Sequence, residues 1–130
     1  MTRGPAPRPM GPTRRRGERG AATAELALAL PLLLAVTLGL VWLLSVASAQ
    51  IRVVDAARET ARAAARGEAE GAAVERGLGV APADSRITVH SAGDRITATV
   101  VGRVAGPGGL FAFLPGVTVR AEAVAAQEPT

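Results

Sequence analysis

The sequence contains a run of 24 residues without a charged side chain, from Leu26 to Ala49, and this run limits the folds open to the chain. Leu, Ala and Val make up most of it. At about 1.5 Å per residue, a helix of this length reaches roughly 36 Å, which exceeds the roughly 30 Å hydrocarbon core of a bilayer. The run therefore predicts a membrane-spanning helix.

The charges on the two sides of this run are unequal. Residues 1–20 carry six Arg and one Glu, whereas the rest of the chain carries nine Arg and ten acidic side chains. A short basic segment next to a membrane helix is retained on the cytoplasmic side. We therefore expect a cytoplasmic N-terminus and an extracytoplasmic C-terminus. Because the basicity is confined to one tail, we expect no nucleic-acid partner.

Two residues inside the run carry expectations of their own. Pro31 lacks a backbone donor and frees the carbonyl of Ala27, so a kink is expected there. Trp42, the only Trp in the chain, is either an anchor at the outer interface or a lipid-facing side chain. The sequence leaves both roles for Trp42 open.

The patterns along the chain predict four regions. Residues 1–20, rich in Pro, Gly and Arg, are expected to form a disordered basic cytoplasmic leader. Residues 21–49 are expected to form the transmembrane helix, 50–78 an amphipathic helical stem, and 79–130 a small β-rich extracytoplasmic head.

The stem is amphipathic because its charged side chains fall on one arc of the helix. The charged arc contains Arg52, Asp55, Arg58, Glu59, Arg62 and Arg66, and the opposite face contains Val53, Val54, Ala57, Thr60, Ala61 and Ala64. A thin, Ala-rich face suits close packing against a neighbouring helix or the protein's own sheet. We interpret the charges as a solvated stripe supported by the pairs Asp55 with Arg58 and Glu59 with Arg62. Glycines between residues 67 and 79 are expected to break the helix.

Three later segments alternate between apolar and polar residues, as strands do. Residues 86–91 and 96–100 flank a turn at 92–94, and residues 117–123 form the third alternation. The predicted fold class is α+β: a long N-terminal transmembrane helix continues into an amphipathic helix, followed by a small antiparallel β-sheet of two or three strands.

The side chains available for catalysis are few. The chain has one His and no Cys, Lys or Tyr. His90 and Ser91 are successive residues of a predicted strand, so they point to opposite faces and cannot easily meet. We therefore expect no catalytic residue, no metal site and no cofactor, and we interpret the protein as not an enzyme.

A glycine and a carboxylate stand at the entrance to the apolar run. Gly20 follows the Arg-rich leader, and Glu25 comes five residues later. A charge in a membrane helix is unfavourable by a few kcal/mol near the bilayer centre and by less at the edge. An interfacial position in the first helical turn, favoured by the helix dipole, accounts for Glu25 alone. It does not account for Gly20.

This arrangement resembles the processing site of type IV pilins, and the segment from Arg19 to Pro31 resembles the TadE-like minor pilins of tight-adherence pili. The Ala-Arg-rich segment 55–65 is similar to the one that follows the membrane helix in that family. The resemblance implies that a membrane-embedded prepilin peptidase cuts between Gly20 and Ala21. Glu25 then becomes the fifth residue of the mature chain.

The resemblance also implies how the protein acts and with what. Other pilin subunits, the pilus assembly platform and membrane lipid are the implied partners. Glu25 is implied to pair with the terminal amine of another subunit, which sets the register of assembly. Ala21 differs from the Phe or Met common at this position in other type IV pilins, so the resemblance leaves N-methylation of the new terminus open.

Two other interpretations remain. The segment Ala47-Ser48-Ala49 before Gln50 has the A-x-A pattern of a signal-peptidase site, which would release a small secreted domain. The apolar region of a signal peptide is usually about 7–15 residues, shorter than the run from Leu26 to Ala49. The third interpretation is an unprocessed single-pass membrane protein. The N-terminal residue of the mature protein separates the three.

Overall fold

A computed structural model describes residues 1, 2, 4, 6, 14–108, 111 and 113–127. The chain divides into two units, Met1–Thr37 and Leu38–Thr130. Its elements are helices α1 (Arg14–Ala65) and α2 (Glu70–Leu78) and strands β1 (Arg86–Ala92), β2 (Arg95–Val104) and β3 (Val117–Ala126). The predicted α+β class is confirmed, with three strands.

Helix α1 begins earlier than the sequence pattern indicates. Nine of the 20 residues of the predicted disordered leader lie outside the described residues, but from Arg14 onward the chain is helical. Once a helix exists, each further residue that is fixed adds a hydrogen bond, whereas the first turn fixes several residues for one bond, and Arg is a good helix former. The helix also continues through Pro31, and the bend expected there stays a prediction.

Helix α1 ends where the first of the predicted glycines stands. Gly67 adopts a positive φ of 82°, its N–H donates to the carbonyl of Ala64 at 3.0 Å, and the N–H of Glu68 donates to that of Ala63 at 3.3 Å. These two bonds form a Schellman motif, which satisfies the last carbonyls of a helix. The chain can then turn into α2.

The three strands form one antiparallel sheet in the order β1-β2-β3. Gly93 and Asp94 make the turn between β1 and β2, where Ala92 pairs with Arg95. Gly93 supplies the positive φ, 64°, that short hairpin turns need. The predicted hairpin is therefore confirmed, with the turn one residue shorter than expected.

The core of the unit Leu38–Thr130 lies between one face of the sheet and the second half of α1. Its buried members are Ala49, Val53, Ala56, Ala57, Val100 and Val119, with Val46, Ala81, Ile87, Val104, Ala121 and Ala123 partly buried around them. The Ala-rich face of α1 thus packs on the protein's own sheet, one of the two partners expected.

The covered face of α1 differs slightly from the predicted one. Ala56 and Ala63 are buried, whereas Val54 and Ala64 are only half-buried. Buried and half-buried residues recur at spacings of three and four along α1, as in Val46, Ala49, Val53, Ala56, Thr60 and Ala63. Such a row forms one stripe along a helix, and here the stripe is rotated toward Ala56.

Candidate functional site

The apolar surface of α1 is exposed over the first unit. Every large apolar side chain from Leu26 to Val36 is more than half exposed, and none packs into a core. Within the described part of the chain, α1 is the one helix long and apolar enough to cross a membrane, by length and composition. Its most apolar stretch has no residue buried inside the protein.

Hydroxyl groups along this surface are satisfied within the helix. The Oγ1 atom of Thr37 donates to the carbonyl of Leu33 at 2.8 Å, and that of Thr23 donates to the carbonyl of Arg19 at 2.9 Å. Lipid offers no hydrogen-bond partner, so polar groups on a spanning helix need internal ones. These bonds make the first half of α1 compatible with a hydrocarbon environment.

Gly20 and Ala21 lie on exposed positions of α1. A Cβ atom built on Gly20 meets no atom within 4 Å, and Gly20 is not among the described glycines with a positive φ. A glycine inside a helix costs about 1 kcal/mol relative to Ala. Neither packing nor backbone conformation therefore requires glycine at position 20.

Glu25 is exposed, one turn beyond Ala21 on α1. No ion pair found among the described side chains includes it. The next residue, Leu26, begins the apolar surface. The carboxylate thus stands at the edge of that surface, where an external cation could reach it.

Two polar side chains of α1 contact the strands and loops of the second unit. The indole Nε1 of Trp42 donates to the carbonyl of Ala105 at 3.0 Å, and the Nε2 of Gln50 donates to the carbonyl of Arg120 at 3.1 Å. Trp42 is half-buried. Neither role expected for Trp42 included this contact, because its partner lies 63 residues away in the sequence.

The charged arc of α1 contains the two predicted pairs. Asp55 lies 4.0 Å from Arg58, and Glu59 lies 3.8 Å from Arg62. Exposed pairs at such distances contribute only tenths of a kcal/mol. The interpretation of the arc as a solvated stripe holds for these pairs.

A tighter ion cluster joins the end of α1 to α2. Glu68 accepts from Arg66 at 3.1 Å and from Arg76 of α2 at 2.8 Å. The hydrogen bond from Arg66, aided by the charge and hydrogen bond of Arg76, lowers the pKa of the Glu68 carboxyl below its ordinary value of 4.5, although desolvation opposes this change. Arg76 also lies 4.0 Å from Glu59. The cluster links α2 to the end of α1 by ion pairs.

The structure places His90 and Ser91 at successive positions of β1. His90 pairs with Thr97 and Ser91 with Ile96 of β2, so the two side chains project from opposite faces of the sheet. Among the described residues, no group of three or more His, Cys, Asp or Glu could hold a metal ion.

Comparison with known proteins finds one family and one curated relative that are similar to parts of this chain. The family described as TadE-like protein matches residues 20–62. Over 82 residues the chain is 35% identical to the apoptosis inhibitor Rv3655c of Mycobacterium tuberculosis (strain ATCC 25618 / H37Rv), covering 63% of this chain. The chain spans 59% of the length of that curated relative. No solved structure matches the chain.

The matched segment begins at Gly20, includes Glu25 and the apolar run, and ends within the Ala-Arg-rich segment. It therefore contains most of the residues that carry the resemblance. It also contains most of the helix that is long and apolar enough to cross a membrane. The predicted resemblance to the TadE-like family is confirmed over residues 20–62.

Proposed function

We propose that the protein is a minor pilin or pseudopilin-like component of a tight-adherence, type IV-like pilus assembly system. It acts by assembly with other pilins and not as an enzyme. The observation that carries this proposal is the family match beginning at Gly20, a glycine that the fold itself does not need. Cleavage by a prepilin peptidase would explain this glycine, because a backbone without a side chain can enter the active site of the peptidase.

After the cut, Ala21 provides a new terminal amine and Glu25 remains near it at the edge of the apolar surface. In a bundle of such helices, the carboxylate of one subunit pairs with the amine of the next. The exposed leucines of α1 then pack against lipid or against other pilins. Charge pairing in a poor dielectric is strong enough to set the register between helices.

The packing of the second unit favours this proposal over release after Ala49. Val46 and Ala49 belong to the core that α1 forms with the sheet, and Trp42 is hydrogen-bonded to Ala105. A cut between Ala49 and Gln50 would remove all three residues from the folded head. A protein secreted by that route would lose part of its own core.

Processing tests the proposal directly. Coexpression with a prepilin peptidase, followed by N-terminal sequencing, is expected to yield Ala21 as the first residue. Gly20→Val should keep the leader, since a branched side chain obstructs the backbone. Gly17→Val is the matched control, because Gly17 is equally free of neighbours within 4 Å and should be cut normally. Cleavage of Gly20→Val, or a mature chain starting at Gln50, would contradict the proposal.

The orientation is part of the proposal and rests on the basic leader. A reporter that is active only outside the cytoplasm, fused after Thr130, is expected to be active. Activity confined to a cytoplasmic reporter at the same position would reverse the proposed orientation.

A further inference from the structure

The connection between β2 and β3, residues 105–116, is the most apolar loop of the chain. We call it the phenylalanine loop, because it contains Phe111 and Phe113, the two Phe residues of the sequence. No charged residue occurs between Arg103 and Arg120. A surface loop of a soluble domain is normally polar, so the composition of this one requires an explanation.

The described part of the phenylalanine loop has a defined backbone. The N–H of Phe111 donates to the carbonyl of Gly108 at 3.0 Å, and the N–H of Leu114 donates to that of Phe111 at 2.9 Å. The two rings lie 6.4 Å apart, centroid to centroid. Even so, the side chain of Phe113 is 76% exposed. The loop turns an aromatic ring outward instead of burying it.

Contacts within the second unit show which part of α1 the loop lies beside. Trp42 donates to Ala105, the first loop residue. Arg52, the first charged residue of α1 after Glu25, lies ten positions after Trp42, or about 15 Å further along the helix. Between them Leu43, Leu44 and Ile51 are exposed, Leu44 by 70%. The loop therefore meets α1 within its uncharged, lipid-compatible part.

We propose that the phenylalanine loop inserts into the lipid surface as a second membrane contact of the head. Lipid is the occupant because the loop meets α1 at Trp42, next to the exposed apolar side chains of Leu43 and Leu44 in the same unit. Aromatic side chains such as Trp and Phe are favoured at the boundary between headgroups and acyl chains. This contact rests on the membrane-anchored helix and not on pilin assembly, so it stands or falls independently of the processing test.

The consequence is a second membrane contact for the head. A single helix would leave the head free to rotate about the axis of α1. Insertion at Phe113 adds a second fixed point beside α1. The outer face of the sheet, which carries Arg86, Thr88 and His90 of β1, then has one preferred orientation relative to the bilayer.

Spin labels test the contact in the full-length chain, which has no Cys of its own. Phe113→Cys and, separately, Pro115→Cys are labelled with a nitroxide and reconstituted in vesicles of phosphatidylcholine and phosphatidylglycerol. Pro115 is exposed, and its variant keeps both Phe rings. Ala92→Cys, at the β1–β2 turn on the opposite end of the sheet, is the matched control.

The measurement is the collision rate of each label with oxygen, which concentrates in lipid, and with a water-soluble nickel chelate. The oxygen-to-nickel ratio is expected to be several-fold higher at positions 113 and 115 than at 92. Equal ratios at all three positions would overturn lipid insertion. Shielding from both reagents at 113 and 115, with spin–spin broadening that grows with the protein-to-lipid ratio, would also overturn it and identify a second copy as the occupant.

Discussion

The two halves of α1 use similar residues in opposite ways. From Leu26 to Val36 the Leu and Val side chains are exposed and contact no core. From Ala49 to Ala65 most of the small residues are buried, several completely, against the sheet or α2. Hydrophobic residues are expected to leave water wherever they can. The first half must therefore find its apolar surroundings outside this chain, whereas the second half finds them within it.

The glycines repeat this contrast. A Cβ atom on Gly20 would meet nothing, whereas one on Gly77 of α2 would collide with the hydroxyl of Thr60 and come within 2.7 Å of Ile87. Gly77 is thus needed for α2 to approach α1 and β1 closely. Gly77 therefore serves internal packing, whereas the role proposed for Gly20 is toward an external peptidase.

The largest effect is expected from Glu25→Gln, which tests whether the first half of α1 has an external partner. The variant should insert and be processed, because a neutral residue is easier to bury. Association with other pilins should fail, since the terminal amine would enter an apolar contact without its counter-charge, at a cost of order a few kcal/mol. Co-purification and filament counts at matched amounts of processed protein measure this.

Glu18→Gln is the control for that variant, because Glu18 leaves with the predicted leader. It should associate like the unmodified protein. Unchanged association of Glu25→Gln would remove the assembly role of this carboxylate, while leaving the proposed cleavage site intact.

Gly77→Ala tests whether close packing in the second unit requires glycine at this position. The added methyl must displace Thr60 and Ile87, so the free energy of unfolding of the head should fall by about 1–3 kcal/mol. Gly71→Ala, in the same helix with nothing within 4 Å, should instead raise it by up to about 1 kcal/mol. Urea unfolding in detergent measures both. Equal effects of the two substitutions would show that α2 does not pack closely at Gly77.

Trp42→Phe tests where the packed half of α1 begins. Loss of the hydrogen bond to Ala105 should lower the free energy of unfolding by about 1 kcal/mol. Ser45→Ala is the control, because its hydroxyl bonds only to the carbonyl of Val41, at 3.0 Å in the same helix. That control should change stability little. If Trp42→Phe is equally silent, the head does not extend to Trp42.

The smallest effect concerns Glu68 and acid. The pKa of Glu68 is lowered in the folded protein, so its ion pairs stabilise the head when the pH is above the ordinary carboxyl pKa of 4.5. That stabilisation is lost as the pH falls from 4.5 through the folded-state pKa. The stability of Glu68→Gln should therefore fall less steeply in acid than that of the unmodified protein. Unfolding midpoints measured from neutral pH to a pH below the pKa of Glu68 check this.

Glu75→Gln in α2 is the comparison for Glu68, since none of the ion pairs found among the described side chains involves Glu75. It should leave the acid decline as it is. An identical acid profile for Glu68→Gln and the unmodified head would show that the cluster does not couple α1 to α2.

Properties with a local cause could be predicted from the sequence. The apolar run from Leu26 to Ala49, the alternation of the three strands and the turn at Gly93 each reflect a periodicity or conformational preference of neighbouring residues. The spacing of Gly20 and Glu25 also lies within a few residues. For that reason the resemblance to the TadE-like family is carried by the amino-acid sequence alone.

Properties that join distant residues were decided only by the tertiary structure. The partner of Trp42 is Ala105, the collision at Gly77 involves Thr60 and Ile87, and Glu68 is held partly by Arg76. A helical pattern shows that an Ala-rich face exists, but Ala is too small and too common to indicate what will cover it. The position of the sheet determines which face is covered. Val100 and Val119 of the sheet pack in one core with Val53 and Ala56 of α1, so the buried stripe includes Ala56.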